Sequence, residues 1–397
     1  MIALCLIPIY IVVNFYIVRW GIRWMSACHH HFKKKWIRVI IILIYTFIAS
    51  SILIAFLLPT SPFQRWLKHL SNIWFGTFAY IILTIIIVDL VRIILKHLKC
   101  IDQEKLASRT VFVTTGTVCI AIIAGLSIYG TLNARNIRTT NYEIDVAKPC
   151  IATQSLRVVL VADFHLGYSI GSYHMQQMVD KINGMNADVV CIAGDIFDNE
   201  YEALESPEHL SQILRTLKSK YGVFACYGNH DISEKILAGF TFSNKSKKKQ
   251  SDIRMDQFLQ NSNIQLLRDD VVLIDDAFYI IGRPDYERPG RGITQRKSPS
   301  KLLTGIDKSK PIIVLDHEPR ELQELADAGV DVDLAGHTHD GQMFPGTITI
   351  HFFWENPYGY LKKDKMHNIV TSGIGVFGPN MRVDSKSEIC QITMNFK

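Results

Sequence analysis

Hydrophobic positions follow two regimes along the 397 residues of this chain. Before residue 135 they run almost unbroken in four stretches, about 2–18, 39–58, 73–95 and 111–129. Each is near the roughly 20 apolar residues that a helix needs to cross a bilayer. From about residue 150 they come as short runs separated by polar, Gly-containing segments. "LRVVLVAD", "DVVCIAGD" and "GVFACYGNH" read as buried strands, and 173–183 and 207–218 read as amphipathic helices between them. Strand–helix alternation with short links predicts an α/β unit with a largely parallel sheet and right-handed crossovers. The pattern therefore divides the chain into an all-α bundle of four transmembrane helices (1–132), a linker with a leading strand (133–150) and a soluble domain (151–397).

Charge changes this picture once it is located. The formal net charge of +6 at first suggests a nucleic-acid partner. Much of it sits in the links between apolar stretches: Arg19, Arg23, Lys33, Lys34, Lys35 and Arg38 in the first, and Arg92, Lys96, Lys99, Lys105 and Arg109 around the third. The second link holds only Arg65 and Lys68. Positive charge favours the cytoplasmic side, so the expectation is a multi-pass protein with its C-terminal domain on the extracytoplasmic face and no specific nucleic-acid partner. The first stretch lacks a basic leader and a cleavage site and reads as a retained helix. Asp89 and Arg92 are spaced to pair on one helix face. A transport pathway is the alternative, but a transporter would show more intramembrane charge and repeated halves. His29, His30 and His31 stand beside lysines and read as a solvated loop.

The eight cysteines show no CxxC and no zinc-module spacing. Cys191 and Cys226 lie in apolar runs and read as small buried hydrophobes. Cys150 and Cys390 flank the soluble domain, and a disulfide between them is an open alternative in an oxidising space.

The chemistry lies in five polar clusters, each just past an apolar run: Asp163-Phe164-His165, Gly194-Asp195-Ile196-Phe197-Asp198, Gly228-Asn229-His230-Asp231, Asp316-His317 and Gly336-His337-Thr338-His339. In open α/β sheets, ligands gather at the carboxyl ends of the strands. Alternation would put Asp163 and His165 on one side of an extended segment, and likewise His337 and His339. Gly194, Gly228 and Gly336 would allow close approach or positive φ. Carboxylates, imidazoles and an amide without thiolate suit manganese, iron, zinc or cobalt. Asp163, His165, Asp195, Asn229, His317, His337 and His339 make seven ligands, enough for two ions if one carboxylate bridges. Two ions about 4 Å apart can hold a hydroxide between them and clamp a phosphoryl group. Any one cluster alone would be an ordinary turn; five in order are not a coincidence of composition.

From about residue 141 onward the chain resembles the calcineurin-like metallophosphoesterase superfamily, through its ordered DxH, GDxxD, GNH[DE], H and GHxH motifs. "GHTHDGQ" and "SGIGVFGPNMRVDSKSEICQITM" are similar to a bacterial-type, often membrane-anchored subfamily. The resemblance implies a four-layer α/β/β/α sandwich. It implies that Asp163, His165 and His339 hold one divalent ion (Mn²⁺, Fe²⁺/³⁺ or Zn²⁺), that Asn229, His317 and His337 hold a second, and that Asp195 bridges. It further implies that His230 acts on the phosphoryl or leaving oxygen, with Asp198 orienting it. Two positions depart from the family pattern: Asp340 stands where Gly is common, and Asn199 where protein phosphatases have Arg. The expected activity is hydrolysis of a phosphomonoester or phosphodiester, lipid- or nucleotide-linked, at the outer membrane surface. The alternatives are a catalytically silent metal-binding scaffold and a protein or nucleotide phosphatase.

Three further basic features have ordinary and functional readings. Lys245–Lys249 reads as a solvated loop, and Arg283, Arg288, Arg291, Arg296, Lys297 and Lys301 as a segment guarding substrate, since Arg suits phosphate. Arg382 reads either as a phosphate contact or as structural.

Overall fold

The computed structural model describes residues 2–98, 102–234, 236–237, 240–241, 251–290 and 293–397. Lys99, Lys245–Lys249 and Arg291 fall outside them. The chain divides into two compact units, one built mainly of residues 1–131 and one mainly of residues 132–397.

In the first unit, long apolar runs give α1 (Ile2–Cys28), α2 (Lys35–Leu57), α3 (Pro62–His97) and α4 (Arg109–Asn133). Among the described residues three of these, α2, α3 and α4, are long and apolar enough to cross a membrane, where the hydrophobic pattern predicts four. In α1 the charge-free side chains described, 7–18, end at Arg19, and Pro8 lies within the helix. Ser61 caps α3 by accepting the Gln64 N–H at 3.1 Å, with Pro62 at the first helical position, so the helix begins well before the apolar stretch. Asp89 and Arg92 do not form the expected ion pair among the described residues; both side chains are exposed. His29, His30 and His31 are exposed in a short 3₁₀ turn, as a solvated loop would have them.

The second unit is a sandwich of two mixed six-stranded sheets. The first runs β1 (Ile137–Val146), β12 (Ser387–Phe396), β2 (Ser155–Val161), β3 (Val189–Ala193), β4 (Val223–Cys226) and β5 (Ile264–Leu266). The second runs β10 (Gly359–Lys363), β11 (Met366–Val370), β9 (Val332–Ala335), β8 (Ile312–Leu315), β7 (Phe278–Gly282) and β6 (Asp270–Ile274). The strands read from sequence are the parallel core of each sheet. The antiparallel contacts are β12 on β2, β10 on β11 and β6 on β7. The leading strand β1 is an edge of the first sheet and pairs parallel with β12 along its whole length.

Strand alternation builds the layers. Val158 and Leu160 of β2, Cys191 of β3, Ile313 and Leu315 of β8 and Leu334 of β9 form the core between the sheets. Val159 and Val161 point the other way, against Met175, Met178 and Ile182 of α5 (Ser172–Gly184), Leu210 and Leu214 of α6 (Pro207–Leu214), and Phe258 of α7 (Ile253–Asn261). Ile312 and Val314 face Leu322 and Leu325 of α8 (Leu322–Ala328). The result is the helix–sheet–sheet–helix layering that the resemblance implied. Cys191, Cys226 and Cys390 are buried, and no disulfide forms among the described residues: Cys150 and Cys390 are both free thiols.

Candidate metal centre

The carboxyl ends of β2, β3, β4, β8 and β9 place all seven ligand candidates together. Asp163, His165 and His339 bring donor atoms within 4.8 Å of one another, and so do Asp195, His317 and His337. Asn229 belongs to the second group: its Oδ1 lies 3.0 Å from His317 Nε2 and 2.9 Å from His337 Nδ1, and those two nitrogens are 3.1 Å apart. Between the groups lies Asp195 Oδ2, 3.2 Å from His317 Nε2 and 3.7 Å from His165 Nε2.

His337 and His339 thus serve different groups, contrary to the alternation argument. The reason is backbone conformation. β9 ends at Ala335, and His337 and His339 have φ of 73° and 52°. Asp163, His165 and Asp195 are likewise left-handed, at 55°, 47° and 50°. Such angles are uncommon for non-glycine residues and persist where surrounding structure holds them. Here Asp163 N–H donates to Gly194 O and His165 N–H to Asp195 O, both at 3.0 Å, tying the two loops together. Glycine is needed for space: a Cβ on Gly228 would lie 2.3 Å from Asp195 Oδ1, and one on Gly336 2.8 Å from Asp163 Oδ2. Gly228→Ala should therefore displace Asp195 and lower metal affinity at least about tenfold, measured by titrating metal into the stripped chain.

The donors fit divalent cations. Metal–ligand bonds of about 2.1 Å put adjacent octahedral ligands about 3.0 Å apart, which is the spacing of Asn229, His317 and His337. His317 Nδ1–H donates to Ala193 O at 2.9 Å, which fixes the tautomer and leaves the Nε2 lone pair facing the group. Among the described residues, buried His165 Nδ1 has no hydrogen-bond partner; Asp198 Oδ1, at 3.7 Å, is too far. The electrostatics reflect how closely these charges are packed. Burial pushes the Asp163 carboxyl up to about 6. Burial also opposes the charges of Asp195 and His317, yet their attraction prevails: the carboxyl is held well below its usual range and the imidazole well above. Buried His337 and His339 are pushed down, toward the neutral form a ligand needs.

His230 stands beside this centre. Its backbone N–H donates to Asp195 Oδ1 at 2.7 Å, and Phe377 packs on its ring at 4.4 Å. Burial lowers its pKa to about 4. The residue on its Nδ1 is Asn199, through Oδ1, whereas the resemblance assigned that place to Asp198. Asp198 faces His165 instead and lies within 4.8 Å of both imidazoles. Asp231 braces the loops by accepting the Phe197 N–H at 2.9 Å and the Gly228 N–H at 2.7 Å. Asn199 and Phe377 carry no distinctive sequence signal; only position beside a motif singles out Asn199.

The arginines behave differently from expectation. Arg283 and Arg296 are buried and share Asp316 and Glu321 at 2.5–2.7 Å, so they hold the loop after β8 and are not free for phosphate. Arg288 stays near the centre, on Glu234 at 3.2 Å and Asn229 O at 3.4 Å. Lys297 is tied to Asp269 O, and Lys301 is exposed. Arg382 is fully buried and bonded to backbone carbonyls, which decides for its structural reading.

Residues 156–341 match the calcineurin-like phosphoesterase family. The chain is 29% identical to a zebrafish (Danio rerio) transmembrane protein with metallophosphoesterase domain, over 91% of this chain and 81% of that one. It is 27% identical to an uncharacterized metallophosphoesterase of Campylobacter jejuni, over 90% and 88% of the two chains. It is 25% identical to the UDP-2,3-diacylglucosamine pyrophosphatase LpxG of Chlamydia trachomatis, over 54% and 74%.

Proposed function

We propose, from the premise that this chain belongs to the calcineurin-like phosphoesterases and is a metal-dependent phosphoesterase, that it uses two divalent ions to hydrolyse a lipid- or nucleotide-linked phosphoester at a membrane surface. The observation that carries this reading is Asp195 Oδ2, within 3.7 Å of both histidine groups. Asp163, His165 and His339 would hold one ion, Asn229, His317 and His337 the other, and Asp195 both. When bound, such ions supply Lewis acidity, lowering the pKa of water and offsetting charge on phosphoryl oxygens.

The protein's own groups do the rest. His317 is oriented by Ala193 O, and Asp195 by the His230 N–H. Asn199 accepts from His230 Nδ1–H, leaving Nε2 to meet the reacting group. A phosphoryl dianion beside His230 favours its imidazolium and so raises its low pKa, which equips the ring to protonate the leaving oxygen. Phe377 shields one face of this ring from water.

The membrane assignment extends the same proposal: four spans over 1–132, a link over 133–150, and the catalytic domain of 151–397 on the extracytoplasmic side. The basic first and third links support it. The relative named for UDP-2,3-diacylglucosamine supports a lipid-linked substrate.

The test is a metal-stripped full chain in detergent, assayed on a chromogenic phosphodiester. It should be inactive, and Mn²⁺ should restore turnover. His230→Ala should lower turnover by about 10²–10⁴-fold with both ions still bound. Undiminished hydrolysis by the stripped chain would refute the reading.

A further inference from the structure

Between the centre and β10 the chain makes a short projecting segment, α9 (Gly346–Thr349) followed by a 3₁₀ turn (Ile350–Phe352). Its apolar side chains face outward. Phe344 precedes α9, Ile348 lies within it, and Phe352 closes the 3₁₀ turn. They are 39%, 54% and 79% exposed, and neighbouring Phe353 is 77% exposed. Four large hydrophobic side chains exposed within ten residues are costly in water, and exposed apolar surface of this kind marks an interaction site.

The segment is held firmly. Phe344 N–H donates to Val383 O at 3.0 Å, and Thr347 Oγ1 donates to Asp384 Oδ2 at 2.7 Å. Just before it, Thr338 Oγ1 donates to Pro357 O at 2.5 Å, which closes the far end of the segment onto the His337–His339 loop. It also touches the metal centre: the Trp354 ring stands edge-on to His337 with centroids 5.1 Å apart, and the Arg320 guanidinium lies over the Trp354 ring at 4.9 Å.

We propose that Phe344, Ile348, Phe352 and Phe353 insert into the acyl layer of a phospholipid bilayer, so that the metal centre is held against the membrane surface. Three observations favour this occupant. The chain carries its own apolar helices, so a bilayer is always at hand. Phe352 and Phe353 are more than three-quarters exposed, which suits a continuous apolar phase better than a single bound acyl chain that needs a groove. Trp354 follows directly on Phe353 and carries Arg320 on its ring, and Trp and Arg are the side chains that suit the interface and the headgroups. The proposal rests on the chain's membrane location and not on hydrolysis, and its test needs no turnover.

The full chain is reconstituted in phosphatidylcholine vesicles containing a phospholipid with a photoactivatable diazirine on its acyl chain. After irradiation, peptides are mapped by mass spectrometry. Lipid adducts are expected on 343–354 as well as on α2 and α3. In the Phe352→Asp, Phe353→Asp double variant, adducts on 343–354 should fall about tenfold, with those on α2 and α3 unchanged. Both substitutions are at exposed positions, and an unchanged Tm and circular dichroism spectrum would verify folding. Adducts on α2 and α3 with none on 343–354 would overturn the proposal. So would self-cross-linking of the chain through 343–354 in place of lipid adducts, which would make the patch an interface between copies.

Discussion

Asp195→Asn should reduce turnover by at least about 10³-fold, equivalent to about 4 kcal/mol of transition-state stabilisation, and should lower the bound metal to at most one ion per chain. The substitution keeps the side chain's shape and removes one lone-pair oxygen and the negative charge. Asp195 uses both oxygens: Oδ1 accepts the His230 N–H at 2.7 Å, and Oδ2 faces His317 and His165. An asparagine that keeps the first contact turns an NH₂ toward the two imidazoles. The histidine groups would then lose the donor they share, and two cations would repel across the gap without a charge between them. Elemental analysis of metal content beside steady-state kinetics checks this. Unchanged values of both would mean that the seven side chains meet for some other reason.

Arg382→Lys should destabilise the catalytic unit by about 3 kcal/mol, a fall in Tm of about 6–12 °C. Arg382 is fully buried, and its fork reaches several carbonyls at once. Nη2 donates to Ser372 O at 2.6 Å and Gly375 O at 2.8 Å, Nε to Gly375 O at 3.2 Å, and Nη1 to His339 O at 3.2 Å. Lysine presents its donors from a single atom and cannot span these positions, so buried carbonyls would lose their partners. Burial already lowers the guanidinium pKa to about 10, with Asp163 and Glu388 opposing, and an ammonium there would resist charge still more. The effect should reach the metal centre through His339. Thermal unfolding of the variant measures it. A preserved Tm with only a raised KM would return Arg382 to the role of phosphate contact.

How much of this was legible in the chain depended on the kind of signal. Strand ends such as those before Asp163 and Asp195 were clear, because a run of buried β-branched residues that stops at a polar cluster seldom occurs except where a strand leaves a sheet. The antiparallel strands were not. β12 is polar at intervals and lies far from the others in sequence, so its place between β1 and β2 is fixed by pairing alone. The ligand residues are legible as types, and the resemblance groups them as the structure does; strand alternation alone would set His337 and His339 on one side, and positive φ overrides it there. Arg283 and Arg296 looked like phosphate ligands because a one-dimensional pattern does not reveal the buried Asp316 and Glu321 that occupy them. Four apolar stretches were visible, yet length and composition single out three helices among the described residues.

The position of β12 has a consequence for biosynthesis. Its residues 387–396 fill the slot between β1, which follows directly on the apolar helices, and β2. While the ribosome is still translating the stretch before residue 387, β1 has no neighbour and β2 exposes an open edge, at a stage when the helices can already be leaving the translocation machinery. The sheet closes only after residue 396 has emerged, about 240 residues after β1 and β2, and such sequence-distant pairing is intrinsically slow. Until then the open edge of β2 is an unpaired row of backbone N–H and C=O groups, the kind of edge on which other chains can pair.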